Sequence, residues 1–175
     1  LLISSPLSFA MEEKWFDEQL QRPPHQGQIL GIEVQRADDW VHIGGLDFGF
    51  AGLGAVFEET GRTLAASPLF ATCVLGASAV LLAGSQAQKE AVLPRVACGE
   101  LCLALALEES HRHDPPGVRL EATRHCGGFR LNGSKQFVLD GHSADQLVVV
   151  ARSRGTAGET DGISLFLVDA NARGI

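Results

Sequence analysis

The apolar pattern changes period near Gly99, and that change constrains the fold more than any other feature. Before it, apolar residues recur at helical spacing. Phe50, Leu53, Phe57 and Leu64 share one face with Val56 beside them, while Glu58 and Glu59 fall off the centre of that stripe. Pro68 suits the first turn of a following helix, because its missing N–H has no partner there anyway. Ser85 and Gln88 form a capping box that opens a third helix, and Pro94 is expected to end or kink it. Met11 to Leu20 reads as a short helix with Trp15 and Phe16 on its apolar side, stopped by Pro23-Pro24. Residues 26–41 show no clean periodicity and read as loop.

After Gly99 the segments shorten and alternate. Leu101 to Leu107 is a short apolar run. Val118, Leu120 and Ala122 alternate with Arg119, Glu121 and Thr123. Cys126-Gly127-Gly128 is a turn, and Phe129 to Leu131 returns from it. Asn132-Gly133 carries strong hairpin chemistry, which predicts a further strand over Lys135 to Leu139. Leu147 to Ala151 and Ile163 to Val168 are buried-type strands, and the polar segment Ser153 to Gly162 between them reads as a surface loop. Strands with glycine turns and no intervening helices predict an antiparallel sheet. The expectation is an α+β protein: an all-α layer over residues 1–99, then an antiparallel β-sandwich or barrel-like domain over 100–175.

Charge and composition exclude several classes. Lys plus Arg number 14 against 21 Asp plus Glu, a net charge of −7 with no basic face for a nucleic-acid backbone. Leu1 to Met11 lacks the basic start of a secretory leader. Pro68 to Gly84 is uncharged but short for a membrane span and reads as a buried core helix. Cys73, Cys98, Cys102 and Cys126 make no CxxC pair, so they read as half-buried thiols in a reducing compartment, the cytoplasm.

Local chemistry is sparse. Gly49, Gly52 and Gly54 have the wrong order for a dinucleotide fingerprint, and no strand is expected before them. His111 and His113 alternate and could share a face, but a third metal ligand is not evident nearby. The cluster reads first as a polar loop after a strand; of the functional readings, phosphate recognition by His111, Arg112 and His113 is the better one. Adjacent Glu108 and Glu109 would face opposite ways on a strand, so they read as solvated carboxylates rather than a paired acid–base site.

Several short pieces from Gly44 onward share an order. They are Gly44-Gly45-Leu46, Glu58-Glu59-Thr60-Gly61-Arg62, Gly84-Ser85 with Gln88-Lys89, Leu93-Pro94, Gly99-Glu100, Asn132-Gly133-Ser134-Lys135, Ala144-Asp145 with Val148 to Arg152, and Ile163 to Val168 with Gly174-Ile175. In this order they resemble the acyl-CoA dehydrogenase family over about three-quarters of the chain. The resemblance implies a helical domain, a middle β domain and a C-terminal helical domain, with the last absent here. It implies FAD as cofactor, an acyl-CoA substrate oxidised to the 2,3-enoyl-CoA, electron transfer flavoprotein as acceptor, and a homo- or hetero-oligomer in fatty acid metabolism. The family's catalytic carboxylate comes from the C-terminal helices, so no residue here is a candidate base, and the chain alone is expected to be inactive.

The resemblance also implies which residues face the cofactor: Leu107, Glu108 and His113 in the first stretch, and Phe137, Val138 and Leu139 in the second. Within the family's T-E-P-x-x-G-S-D stretch, Glu109 and Asp114 match, Glu108 replaces Thr, and His113 stands near the missing Ser. Phe137-Val138-Leu139 stands where the family has W-I-[TS], so Leu139 loses a hydroxyl worth about 0.5–1.5 kcal/mol as a hydrogen bond. Glu108 is the larger departure: a carboxylate about 4 Å from a negatively charged reduced flavin opposes it by about 4 kcal/mol at an effective dielectric of 20. Either its side chain points away, or the site holds no working flavin. Two other readings share the resemblance: a silent partner subunit of a heteromeric dehydrogenase, and an acyl-CoA oxidase or flavin monooxygenase on the same fold.

Overall fold

The computed structural model describes residues 31–36, 39–44, 49–64 and 66–175. The helix expected over Met11 to Leu20 lies outside them. Strands β1 (Gly31–Arg36) and β2 (Asp39–Gly44) pair antiparallel, with Val34 opposite Val41 and Ile32 opposite Ile43. This corrects the loop expected over residues 26–41. Ile32 and Val34 alternate with Glu33 and Gln35 over six residues, an ordinary strand length, so the signal is present but brief.

Helix α1 (Gly49–Thr63) follows, with Val56 buried and Glu58 and Glu59 exposed beside Arg62 at 3.8 and 3.3 Å. Leu64 departs from the expected apolar face. It lies past the helix end at φ +50° and is 89% exposed. The wide π-helical turns of α2 (Phe70–Ala77) run straight into α3 (Ser78–Ala83), and Pro68 supplies the carbonyl that accepts from the Thr72 N–H at 2.8 Å. Among the described residues no helix is long and apolar enough to cross a membrane. Instead this segment buries Ala71, Thr72, Gly76, Ala77 and Val80.

Helix α4 (Gln86–Ala97) opens with the expected capping box, Ser85 accepting from the Gln88 N–H and the Gln88 side chain accepting from the Ser85 N–H. Pro94 does not end it. The helix runs on to Ala97 because Pro94 still accepts from the Cys98 N–H at 3.0 Å. Gly99, at φ +69°, then reverses the chain, with Gly99 N–H donating to Val96 and Glu100 N–H to Arg95. Those two bonds form a Schellman closure, which a left-handed glycine permits.

The five-stranded sheet contains β3 (Leu103–Ala106), β4 (Glu121–His125), β5 (Gly128–Asn132), β6 (Gln146–Arg152) and β7 (Ile163–Asp169). It is mixed, which corrects the purely antiparallel expectation. β6 pairs β7 antiparallel along its whole length, and it pairs β3 in parallel from Leu103↔Gln146 to Ala106↔Val149. The parallel contact arises because the chain leaves β3, makes the β4–β5 hairpin, and returns to β3's open edge from the same end. Local spacing cannot reveal such a long return. The β4–β5 turn is as expected, with Cys126 and Gly127 both at positive φ. The Ser153–Gly162 segment is exposed up to Asp161, as its polarity predicts.

β6 is buried on both faces. Val148 packs with Val80, Leu93, Val96 and Leu103 under the helices, while Val149 and Ala151 pack with Ala106, Leu120 and Ala122 on the other side. Val118, Leu120 and Ala122 are all buried and Arg119, Glu121 and Thr123 exposed, as the alternation requires, although β4 itself begins only at Glu121. The two faces belong to one sheet, so the helical layer holds β3 and β6 in place from one side while the opposite side carries the loops described next.

Candidate functional site

Two loops meet at the end of β3. The first runs from Leu107 to Asp114 and the second from Gly133 to Gly141. The expected strand over Lys135 to Leu139 does not form. Gly133, at φ +150°, lies so close to Leu120 that an added Cβ would meet its side chain. The chain packs against Leu120 there, and no strand follows β5 over residues 133–141. Lys135 then reaches into the first loop, where Nζ donates to the Leu107 carbonyl at 2.9 Å and to Glu109 Oε1 at 2.7 Å. The Gln136 N–H donates to the Glu108 carbonyl at 2.8 Å.

Glu109 is not a solvated carboxylate. It accepts from the backbone N–H groups of Arg119 at 2.8 Å and Leu120 at 2.9 Å as well as from Lys135, and the two side chains are only 19% and 6% exposed. Burial pushes its carboxyl up, but the Lys135 ammonium and the two backbone donors outweigh burial and hold it below the usual carboxylate range. A carboxylate held by three donors fixes the loop.

Glu108 faces a different partner; it lies past the end of β3, not on a strand, and its side chain is half-buried rather than solvated. Its Oε1 lies 2.6 Å from His113 Nδ1. Ser110 closes the turn between them, accepting from the Arg112 N–H at 3.2 Å and donating to its carbonyl at 3.3 Å. Asp114 accepts from the Gly117 N–H and starts the 3-10 turn Pro115–Gly117. His111 and Arg112 are exposed. Among the described residues no three His, Cys, Asp or Glu side chains gather around a metal-sized space.

The second loop contributes the apolar surface. Val138 packs beneath, against the Leu120 and Val149 cluster. Phe137 is 70% exposed and Leu139 52% exposed. Phe137 and Asp140 both have φ near +50°, and this backbone turns Phe137 outward. Two large apolar side chains are thus left open beside a polar loop. Of the six residues named from the resemblance, Leu107, Glu108 and His113 lie on the first loop and Phe137, Val138 and Leu139 on the second; the loops touch through Lys135 and Gln136, while Val138 faces the core.

The pattern of the whole chain now has a counterpart. The description "Acyl-CoA dehydrogenase, N-terminal domain" matches residues 10–100 and "Acyl-CoA dehydrogenase, middle domain" matches residues 102–175. The chain belongs to the acyl-CoA dehydrogenase family. A mitochondrial isovaleryl-CoA dehydrogenase of Arabidopsis thaliana is 34% identical over 75% of this chain and 32% of its own length. The Tcur3481-Tcur3483 steroid ACAD superposes with a TM-score of 0.62 over 71% of this chain and 32% of that one, at 24% identity, and so speaks to the fold. The FAD complex of PigA superposes with a TM-score of 0.52 over 56% of this chain and 26% of that one, at 25% identity. The chain spans about a third of the length of the curated relatives it matches.

Four residues have structural roles that the reading of the sequence did not reveal. Lys135 and Glu109 were visible as motif positions, but nothing in their spacing shows that they pair. Arg152 closes the far end of β6: its guanidinium donates to the carbonyls of Val118, Asp161, Pro116 and Glu159 at 2.8 to 3.0 Å. Thr72 bonds both backbone groups of Leu103 at 3.2 Å. The cysteines are all free, but Cys98 and Cys126 are exposed rather than half-buried. Burial and the nearby Cys102 push the Cys73 thiol up to about 11.

Proposed function

We propose that this chain is the flavin-side portion of an FAD-dependent acyl-CoA dehydrogenase. The observation that carries the reading is the meeting of two loops, Gln136 of the second against Glu108 of the first, with Phe137 and Leu139 left exposed on the second. FAD fits the donor set on two counts: the exposed aromatic and aliphatic faces suit a ring system, and the Glu108 carboxylate is paired rather than bare. Leu107, Glu108, His113, Phe137, Val138 and Leu139 would hold it. When bound, FAD supplies the hydride acceptor for oxidation of an acyl-CoA thioester to the 2,3-enoyl-CoA.

The chain's own residues have three tasks in this reading. Phe137 and Leu139 exclude water from one side of the site. Lys135 and Glu109 hold the two loops in register. His111 and Arg112 offer exposed donors for phosphate oxygens. Proton abstraction from substrate is assigned to neither Glu108 nor Glu109, since both carboxylates already have partners. Reoxidation by electron transfer flavoprotein, assembly into an oligomer, and a reducing, cytoplasmic setting for the free thiols belong to the same reading.

Flavin fluorescence tests it. Titration of FAD with the full chain is expected to quench the flavin, and Leu139→Glu is expected to weaken binding by placing a carboxylate in the apolar face. A chain that leaves FAD fluorescence unchanged at high micromolar concentration would refute the reading.

A further inference from the structure

We infer that the open edge of β7 is a self-association surface, and that two copies of this chain dimerise there by pairing β7 with β7. The inference stands on the sheet and does not rest on the flavin reading.

β7 pairs with β6 along one edge, and among the described residues nothing pairs with its other edge. The other edges of the sheet are defended. Thr72 bonds both backbone groups of Leu103 on β3. β5 is short, carries Arg130 and is exposed at every residue but Leu131. β7 has no such defence. It runs for seven residues without proline, lysine or arginine, and its register with β6 is unbroken, so no bulge turns the edge away.

A partner strand must suit both faces of this edge. On the helix side Leu165 and Leu167 line a shallow cleft with Ala79, Ala83 and Gly84, and Leu165 is left 39% exposed. On the other side Phe166 and Val168 pack on the Val149 cluster yet stay half-buried. A strand added here has apolar neighbours on both faces, and any polar face would be buried without partners. Among the described strands β3, β6 and β7 are apolar on both faces. β6 has both edges taken and Thr72 covers β3, so β7 of a second copy is the strand that fits.

Charge favours the same partner. Each chain has a net charge of −7, so two copies repel over most of their surfaces. Ile163 to Val168 carries no charge, and Asp169 at the strand end already accepts from the Gln146 side chain at 2.8 Å. A two-fold axis normal to the sheet pairs the strand with itself antiparallel and closes the association at two copies. A seven-residue strand spans about 23 Å. That puts the joint at the small end of specific interfaces, and the dimer is expected to dissociate in the micromolar range.

The measurement is sedimentation velocity on the full chain from about 1 to about 200 μM, with amide hydrogen exchange at both ends of that range. The wild type is expected to pass from monomer to dimer, and the outward amides of β7 to exchange about tenfold more slowly at the upper end. Leu165→Lys sets a charge on the joint and is expected to weaken dimerisation by about tenfold or more. Leu64→Lys changes an 89% exposed leucine past the end of α1 and is expected to leave the dimer intact.

A wild-type chain that stays monomeric throughout overturns the inference, including one whose β7 edge proves to be covered by another segment of the same chain. So does a dimer that Leu165→Lys leaves at wild-type strength, which would place the contact on another face, such as that of Phe137 and Leu139. Equal weakening by Leu64→Lys, or growth beyond two copies, overturns it as well. If Leu165→Lys does not fold, the wild-type exchange decides: outward β7 amides equally fast at both concentrations overturn the inference.

Discussion

The Lys135 ammonium lies 2.7 Å from Glu109 Oε1, and the two side chains belong to separate loops joined by no strand pairing. Lys135 also holds the carbonyl of Leu107, the first residue after β3. One ion pair therefore fixes both loops of the site to each other and to the sheet. Replacing one partner leaves the other charged and nearly buried. That is the costly case, at about 3–5 kcal/mol for a buried pair, whereas removing both together costs less.

Lys135→Met is expected to lower the free energy of unfolding by about 3 kcal/mol, and Lys135→Met/Glu109→Gln by clearly less. Urea denaturation of the two variants measures both. A double variant less stable than the single one would show that the pair is not the unit that matters.

Acid titration follows from the same carboxylate. Glu109 is held below its ordinary range in the folded chain. The unfolded state therefore takes up the proton first as pH falls. The stabilisation from Glu109 is complete above the unfolded value of about 4.3 and disappears as pH drops through the lower folded value. Stability measured from pH 6 down to pH 2 is expected to fall less steeply in Glu109→Gln than in the wild type. Parallel curves would contradict the assignment.

A second contact sets the helical layer on the sheet. The Thr72 hydroxyl donates to the Leu103 carbonyl and accepts from its N–H. It thus takes the place of a neighbouring strand at the free edge of β3. Thr72→Val keeps the shape and leaves two buried backbone groups unmet, an expected loss of about 2 kcal/mol in thermal or chemical unfolding. An unchanged stability would mean that water reaches Leu103 in the variant.

One turn further along α2, an added Cβ on Gly76 would collide with the Cβ of Leu103. Alanine is favoured over glycine in a helix by about 1 kcal/mol, while overpacking a tight contact costs about 1–3 kcal/mol. Overpacking is expected to win, so Gly76→Ala destabilises. Gly54→Ala, where a Cβ meets nothing within 4 Å, is the control and is expected to be neutral or stabilising. Equal responses at the two glycines would show that the contact with Leu103 yields.

The legible parts of this fold were those whose causes are local. The Ser85–Gln88 capping box, the Cys126-Gly127 turn and the alternation at Val118, Leu120 and Ala122 each need only neighbouring residues to act. The parallel pairing of β3 with β6 needs residues more than forty positions apart, and so does Cys102 N–H meeting Asp145. Asn132-Gly133 misled for a related reason. Its local chemistry favours a hairpin, but Leu120 beneath Gly133 and the pull of Glu109 on Lys135 decide the path. The site residues were legible only through resemblance; nothing in their own spacing places Glu108 beside His113 or opens Phe137.

Arg152 offers the sharpest contrast between charge and geometry. Its side chain is buried, and it has four carbonyl partners: Val118 and Pro116 before β4, and Glu159 and Asp161 in the loop after β6. A guanidinium reaches all four because its donors lie in a fixed planar fork, while an ammonium offers three donors from one point. Arg152→Lys keeps the charge and loses the fork. It is expected to cost about 2–3 kcal/mol, because a buried cation with too few partners remains. The damage should also be local. Loop 153–162 loses the Arg152 link from Glu159 and Asp161 to Pro116 and Val118 and keeps only the Gly158 N–H bond to the Pro116 carbonyl, so limited proteolysis of Arg152→Lys is expected to cut within that loop before the sheet unfolds. Cleavage at the wild-type rate would mean that the loop is held by its own contacts, such as Ser153 to Ser164 at 2.8 Å, and not by Arg152.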